Sequence, residues 1–160
     1  MNASVQISCA DGISSVLRQL VDDLDRYLDD LYGAEPEAYV SIDELTQSGV
    51  TFWIATKDDA PVGCVALGVL NEDDVELKRL FVLPAARGTG AGRKLLEALE
   101  QSAIERGAKR ILLETGPRQT DAIALFERFG FKQREIYPGT VWGKGLFFEK
   151  YLTPENRKKH

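Results

Sequence analysis

The chain has 160 residues, 44% hydrophobic and 28% charged, and these values are ordinary for one globular domain of this length. Its net charge of −5 disfavours nonspecific binding to nucleic acid, which needs a basic face. There is no apolar run of the roughly 20 residues that cross a bilayer, and no signal peptide is visible at the N-terminus. We therefore expect a cytoplasmic protein without a membrane or nucleic-acid partner, folded as a single domain over residues 1–153 with a frayed tail at residues 154–160.

The first predicted elements are a strand and a long amphipathic helix. Residues 5–10 (VQISCA) alternate like a strand, and Asp11 is a suitable N-cap for a helix that ends at Gly33. The helix carries an apolar stripe with spacings of three and four residues, formed by Ile13, Leu17, Leu20, Leu24, Leu28 and Leu31. An irregular link with one helical turn at residues 42–46 is expected to follow.

The rest of the chain alternates between strands and helices. Three strands with short turns between them predict an antiparallel meander: residues 51–56 (TFWIAT), 61–70 (PVGCVALGVL) and 75–82 (VELKRLFV). The elements predicted after the meander are a helix ending near Gly107, a strand at 109–115, a helix at 119–130, and strands at 131–137 and 141–152. This order predicts an α+β fold whose central mixed, mostly antiparallel twisted sheet has six or seven strands and about four flanking helices.

Three glycines lie between the third meander strand and the next helix. No register of Gly88, Gly90 and Gly92 supplies the Gly-x-x-x-x-Gly-Lys-Ser/Thr of a Walker P-loop. The Gly-x-Gly-x-x-Gly fingerprint of dinucleotide-binding folds also fails, because position 93 is arginine. A glycine-rich turn that opens a helix can nevertheless direct several backbone amides at one anion, and Arg87, Arg93 and Lys94 add positive charge. From spacing alone, an anion cradle and a flexible surface turn both remain open.

Two segments together resemble the GNAT N-acetyltransferases. In residues 79–99 (RLFVLPAARGTGAGRKLLEAL), the strand ends in Val-x-Pro and Arg-x-x-Gly-x-Gly opens a helix, as in the core motif of that family. Residues 125–131 (LFERFGF) resemble its second block, Leu-Tyr-x-x-x-Gly-Phe. The resemblance covers about residues 51–131. It implies a GNAT-like acyl-CoA N-acyltransferase fold and transfer of an acetyl group from acetyl-coenzyme A (acetyl-CoA) to an amine, without a metal.

The resemblance also implies where the cosubstrate binds. Its pyrophosphate would lie on the amides of residues 87–92, and its pantetheine arm would pair with the strand before the loop. Arg128 would reach the adenosine end, unless it is only a solvated arginine near a helix end. The residues expected to contact acetyl-CoA are Leu80, Phe81, Val82, Arg87, Gly88, Thr89, Gly90, Ala91, Gly92, Arg93, Phe126 and Arg128.

The chemistry requires a neutral amine, and an alkyl ammonium group has a pKa near 10.4, so a base or a water chain must remove a proton. Glu76 is the first candidate base because the family often carries a glutamate on this strand. The alternative is an exposed carboxylate paired with Lys78 or with a lysine on a neighbouring strand. Strand alternation would place Glu76, Lys78 and Leu80 on one face. Glu114 is the second candidate, since neighbouring strands of the family splay apart near the thioester. A backbone N–H near Val82 would stabilise the oxyanion.

One position departs from the family pattern. The family often has a tyrosine where this chain has Phe126, and its hydroxyl is credited with protonating the departing thiolate. Tyr137 or a bound water could donate that proton instead, or coenzyme A could leave as the thiolate, since a thiol pKa is about 8.5. A weakly active or inactive acyl-CoA-binding regulatory domain is the alternative function.

The acceptor is the least defined part of the prediction. Between Asp22 and Glu44 there are nine acidic residues and one basic residue, Arg26, a pattern that fits either a cationic amine acceptor or a solvated helix face. The first residues to inspect for acceptor binding are Asp43, Glu44 and Trp53. An aromatic wall or ordinary core packing would account for Tyr32, Tyr39, Tyr137 and Trp142. A homodimer through the last strands remains open.

The cysteines and the single histidine indicate no metal site. Cys9 and Cys64 are far apart in the sequence and have no nearby histidine cluster, so we expect buried, reduced thiols rather than a disulfide. His160 lies alone in a basic tail and is not expected to act in catalysis.

Overall fold

The computed structural model describes residues 4–10, 14–32, 50–140 and 143–152. In these ranges seven strands form one sheet in the order β1-β2-β3-β4-β5-β7-β6. The strands are β1 (Gln6–Ala10), β2 (Thr51–Lys57), β3 (Ala60–Val69), β4 (Asp74–Val82), β5 (Arg110–Thr115), β6 (Lys132–Arg134) and β7 (Leu146–Tyr151). The helices are α1 (Ser15–Tyr32), α2 (Ala91–Glu105) and α3 (Thr120–Arg128), with a 3₁₀ turn at Pro84–Ala86.

The predicted mixed, mostly antiparallel sheet is confirmed, because β4 and β5 are its one parallel pair in the described part of the chain. The described residues hold three α-helices, slightly fewer than the four or so expected. The helical turn predicted at residues 42–46 lies outside them, and so does the tail at residues 154–160. None of the described helices has the length and apolar character needed to cross a membrane.

Helices cover both faces of the sheet. On one face α1 buries Leu17, Leu20 and Leu24 of the predicted stripe against β2 and β3. On the other face α2 and α3 pack on the sheet through Leu95, Leu99 and other apolar side chains. Ser14 Oγ accepts the N–H of Leu17 at 3.1 Å and so caps α1, whereas the predicted cap, Asp11, lies outside the described residues.

A β-bulge in β4 changes the face to which its last residues point. Cys64 pairs with Phe81 and Ala66 with Lys78, so Arg79 and Leu80 together oppose Val65. Arg79 has a φ of 57°, which is uncommon for a residue other than glycine.

The bulge corrects the alternation predicted from the sequence. Phe81 packs with the α1 cluster, on the face that Glu76 and Lys78 share, whereas Leu80 packs against the cluster under α2. The predicted grouping of Leu80 with Glu76 is therefore wrong, because the extra residue at the bulge reverses the two-residue period beyond Lys78.

Strands β4 and β5 pair only at their beginnings and separate beyond that point. The parallel ladder has three pairs, from Asp74 with Arg110 to Glu76 with Leu112. The six residues of β4 beyond Glu76 have no partner on β5 among the described pairs. A gap therefore opens between the two strands immediately after Glu76.

Strand β7 lies between β5 and β6, and β6 is at the edge of the described sheet, so a homodimer through the last strands stays a prediction. The expectation of two buried thiols needs correction. Of the two cysteines, only Cys64 is buried, and burial raises the pKa of its thiol to about 12. Cys9 is exposed because it lies on β1, an edge strand whose side chains are all exposed or only partly buried.

Candidate functional site

The glycine-rich loop has the backbone geometry of an anion cradle. Gly88 and Gly90 have φ values of 82° and 88°, and Gly90 is the residue that precedes α2. A Cβ atom added to either glycine would meet no protein atom within 4 Å, so this side of the loop is open. Thr89 Oγ1 donates to the carbonyl of Ala86 at 2.6 Å and holds the loop in place. Left-handed residues at a helix start turn backbone amides towards a common point, which is where an anion binds.

Gly92 has a different role from the two glycines before it. A Cβ atom at Gly92 would lie 2.6 Å from Cδ2 of Leu125, so the end of that side chain would have to move to make room for it. This glycine therefore lets the first turn of α2 approach α3. The close approach makes α3 the second wall of a cleft whose first wall is the loop.

The cleft has a volume of about 460 Å³ and lies between the end of β4, the glycine loop and α3. Ten of the twelve residues predicted to bind acetyl-CoA line it: Leu80, Phe81, Val82, Arg87, Gly88, Gly90, Ala91, Gly92, Arg93 and Arg128. The sequence did not single out the other lining residues: Tyr27, Ala86, Gln119, Asp121, Ala122, Ala124 and Leu125.

Thr89 and Phe126 complete the predicted set but do not line the cleft. The Thr89 side chain is directed back at the loop, where its hydroxyl donates to the carbonyl of Ala86. Phe126 is 2% exposed and packs in the core, with its ring centroid 5.6 Å from Phe131 and 6.3 Å from Phe148. The ring at this position is therefore directed into the core in this structure.

Arg87 stands at the mouth of the cleft between two residues that sequence reasoning missed. Its guanidinium lies 3.1 Å from Asp121 Oδ2 and 5.1 Å from the ring centroid of Tyr27. Asp121 is in the first turn of α3, where an acidic residue complements the helix dipole. That position gave no sequence signal for a contact with Arg87, 34 residues away.

The backbone of Val82 is turned towards the gap between β4 and β5. Leu83 N–H donates to the carbonyl of Val62 at 2.8 Å, so these residues form a hydrogen-bonded antiparallel pair. In an antiparallel ladder the next pair, Gly63 with Val82, must be a pair without mutual hydrogen bonds. The N–H and C=O of Val82 therefore point away from β3 and can bond a ligand in the gap.

Glu76 lies where the gap opens and is held by two side chains. It is 6% exposed, and its Oε2 accepts the hydroxyl of Tyr137 at 2.7 Å. Its Oε1 lies 3.0 Å from Lys78 Nζ. Burial, and then the negative charge of Glu76, raise the pKa of Tyr137, so the phenol stays protonated as a donor. The structure thus brings together Glu76 and Tyr137, two of the three predicted catalytic residues.

Glu114 is on the same face of the sheet, on the β5 side of the gap. It follows Leu112, the partner of Glu76, by two residues, which keeps it on that face. Its two carboxylate oxygens accept the N–H groups of Gly143 at 3.1 Å and Gly145 at 2.9 Å. Glu114 therefore anchors the backbone that leads into β7.

Most residues singled out for acceptor binding lie outside the part of the chain that the structure describes. Asp43, Glu44, Tyr39 and Trp142 lie outside the described residues, as does the side chain of Tyr32. Trp53 is 8% exposed and belongs to the core cluster under α2, on the face opposite Glu76. Within the described ranges, no group of three or more His, Cys, Asp or Glu residues could hold a metal ion.

Comparison with known proteins identifies the family of the chain. The profile of the family described as "Acetyltransferase (GNAT) family" matches residues 17–131. The chain belongs to the GNAT acetyltransferases. A GNAT relative from Azospirillum brasilense, named IAA acetyltransferase, is 39% identical over 151 residues, which cover 93% of this chain and 99% of the relative.

Solved GNAT structures share the fold. A putative acyl-CoA N-acyltransferase from Klebsiella pneumoniae superposes with a TM-score of 0.78 at 30% identity, over 95% of this chain and all of that chain. A GNAT acetyltransferase from Elizabethkingia anophelis, solved with acetyl-CoA bound, gives a TM-score of 0.69 at 19% identity, over 93% of this chain and 99% of that one. At that identity the second match shows the fold alone.

Proposed function

We propose that this acetyltransferase moves the acetyl group of acetyl-CoA to a primary amine by direct attack in a ternary complex, with Glu76 as the general base. One observation carries the proposal: β4 ends in the glycine cradle and holds Glu76 at the point where its gap from β5 opens. The strand rise of about 3.3 Å per residue separates Glu76 from Val82 by roughly 15–20 Å. A single ligand laid along β4 would therefore have its anionic end in the cradle and its reactive end near Glu76.

The cradle would bind the pyrophosphate through its amides, with Arg87 and Arg93 at its mouth. Anions bind at helix N-termini because the first N–H groups have no acceptor inside the helix and the helix dipole favours negative charge. The pantetheine amides would pair with the N–H and C=O of Val82, which face the gap. The pantetheine arm would thus take the place of the strand partner that β5 does not provide there. This pairing would direct the thioester along β4 towards Glu76.

Near Glu76 the acceptor nitrogen would attack the thioester carbonyl carbon. A backbone N–H of β4 between Glu76 and Val82, at the bulge of Arg79 and Leu80, would stabilise the oxyanion of the tetrahedral intermediate, a contribution of about 3 kcal/mol for one such donor. Glu76 takes the proton that the amine must lose, the carbon–sulfur bond breaks, and coenzyme A leaves as the thiolate. A thiolate is a tolerable leaving group because the thiol pKa is about 8.5.

Tyr137 would serve this reaction as a positioning residue. Its hydroxyl is bonded to Glu76 Oε2 and the residue is 3% exposed, so it orients the carboxylate and leaves Oε1, the oxygen that Lys78 contacts, on the outer side. Glu114, whose two oxygens hold backbone amides, is less suited to accept a proton from an amine. We assign the base role to Glu76 for that reason.

Gly90→Ala tests the cradle, with Gly107→Ala as the matched control. Both glycines have positive φ values, 88° and 79°, and open space at the Cβ position, but Gly107 lies at the far end of α2. We expect similar losses of thermal stability from the two variants, and at least tenfold weaker acetyl-CoA binding only from Gly90→Ala. Calorimetric titration measures this, with NAD as a ligand control. Equal affinity for acetyl-CoA in both variants would show that the loop is only a turn.

Release of the coenzyme A thiol, followed with an amine panel, then distinguishes an enzyme from an acyl-CoA-binding regulatory domain. IAA is tested beside that panel because the Azospirillum relative is named for it. Acetyl-CoA binding without thiol release for any acceptor would favour the regulatory function. We further propose that the protein works in the cytoplasm as one domain over residues 1–153.

A further inference from the structure

The carboxylate of Glu76 has an inner and an outer partner. Tyr137, bonded to Oε2, is 3% exposed and closes the inner side. Lys78, bonded to Oε1, has a side chain that is 24% exposed, whereas the side chain of Glu76 is 7% exposed. A molecule that arrives from solvent therefore meets the ammonium group of Lys78 at Oε1 of Glu76.

The lysine side chain runs back along the sheet over Gly68. Gly68 is the register partner of Glu76 on β3, and a Cβ atom at Gly68 would lie 3.7 Å from Cε of Lys78, an ordinary van der Waals contact. The ammonium group thereby reaches Glu76, two residues earlier on the same strand.

This arrangement has a consequence for the acceptor. To give a proton to Oε1, an amine must share that oxygen with Lys78 or displace it. A purely cationic acceptor would bring a second positive charge close to the ammonium group, and like charges repel strongly in a partly buried site. If Lys78 moves away without a new partner, its charge is left poorly solvated. An acceptor that carries its own anion removes both costs.

We propose that Lys78 is a specificity-determining residue that binds a carboxylate on the acceptor, so that the substrates are amines bearing a carboxylate, as amino acids do. The carboxylate of the acceptor replaces Glu76 as the partner of Lys78. The amine of the same molecule then approaches Oε1 of Glu76, which Lys78 has released. This inference rests on the proposed function. The acidic residues of α1 suggested a cationic acceptor. They are weaker support for such an acceptor than their number implies, because Asp23 is paired with Arg26 and Asp25 with Arg79.

Matched acceptor pairs test the proposal, each consisting of an amino acid and the amine left when its carboxylate is removed. Suitable pairs are phenylalanine with 2-phenylethylamine, and lysine with 1,5-diaminopentane. We expect kcat/KM for acetyl transfer to be at least tenfold higher for the amino acid in at least one pair. In Lys78→Met this preference should be lost, chiefly through a higher KM for the amino acid, and Lys78→Arg should restore part of it.

Lys109→Met is the matched control, since Lys109 also pairs with a carboxylate, Asp73, but is 73% exposed and lies at the start of β5. It should keep the preference. A preference for the decarboxylated amine in every pair, or the same preference in Lys78→Met as in the natural protein, would overturn the proposal.

Calorimetric binding of each acceptor to the coenzyme A complex separates this proposal from the proposed function. Amino-acid binding that Lys78→Met weakens at least tenfold, with no turnover, would uphold the carboxylate site and reject the reaction. Turnover of amines together with amino-acid binding that is indifferent to Lys78 would uphold the reaction and reject the carboxylate site.

Discussion

At the scale of single residues, Glu76 and Glu114 share one face of the sheet but differ in the groups they hold. Glu76 bonds the side chains of Tyr137 and Lys78, whereas Glu114 bonds two backbone N–H groups. A carboxylate held by side chains can exchange a partner for a substrate. One that anchors two backbone amides cannot do so without releasing the chain.

Glu76→Gln should therefore lower kcat by about 10²–10⁴-fold, the usual contribution of a general base, and leave the acetyl-CoA affinity nearly intact. Glu114→Gln is the comparison: its amide NH₂ would face a backbone donor and cost about 1–3 kcal/mol of unfolding free energy. Steady-state kinetics and urea unfolding measure the two effects. If Glu114→Gln loses activity and keeps stability while Glu76→Gln does the reverse, the two roles are exchanged.

At the scale of elements, the short ladder between β4 and β5 has an ion pair at its first rung, between Asp74 and Arg110. Arg110 donates from Nε and from a terminal nitrogen to the two oxygens of Asp74, both at 3.0 Å. These hydrogen bonds hold the pKa of Asp74 below its ordinary value. The pair lies where the two strands are still joined, three residues before they separate.

Asp74→Asn should lower the free energy of unfolding by about 1.5–3 kcal/mol near neutral pH, the range for hydrogen bonds to charged groups. Because the folded pKa of Asp74 is depressed, its stabilising effect is fully present above the unfolded pKa of about 3.9 and is lost as the pH falls through the folded value. Urea unfolding of both proteins from pH 7 to pH 2 measures this. A stability difference that stays constant to pH 2 would mean that the carboxylate charge is not involved.

Periodicity predicted the seven strands because the spacing of apolar residues reflects which side chains are buried, and burial repeats every two residues in a strand. The bulge at Arg79 could not be predicted in this way. Its φ of 57° is one that glycine usually adopts, so the residue type gave no warning. Its side chain instead pairs with Asp25 on α1, a contact between elements 54 residues apart.

The site was predictable to a similar degree. The cradle is local in sequence, so its glycines and Arg87 could be named from spacing and resemblance. The bond between Tyr137 and Glu76 joins residues 61 positions apart and depends on how the segment after β6 folds back over the sheet. The exposure of Cys9 and the burial of Phe126 likewise depend on packing between elements, which a pattern along one element does not report.

At the scale of the whole molecule, the sheet consists of an antiparallel half, β1 to β4, and a second half, β5 to β7, joined by the three pairs between β4 and β5. The cleft spans this junction, since β4 and the start of α2 form one wall and α3 the other. A ligand in the cleft would contact both halves at once. Such a ligand binds the folded chain and not the unfolded one, so it must stabilise the junction.

Acetyl-CoA at 100 times its Kd should therefore stabilise the protein by about 2.7 kcal/mol. For a chain of this size that corresponds to a rise in Tm of roughly 5–10 °C, which differential scanning calorimetry measures. Hydrogen exchange should slow in α3 as well as in the first turn of α2, because the two walls are held together. Gly90→Ala, at the same acetyl-CoA concentration, should show a smaller shift than Gly107→Ala. Protection confined to α2 would mean that the ligand sits on the loop alone and leaves the second half of the sheet unaffected.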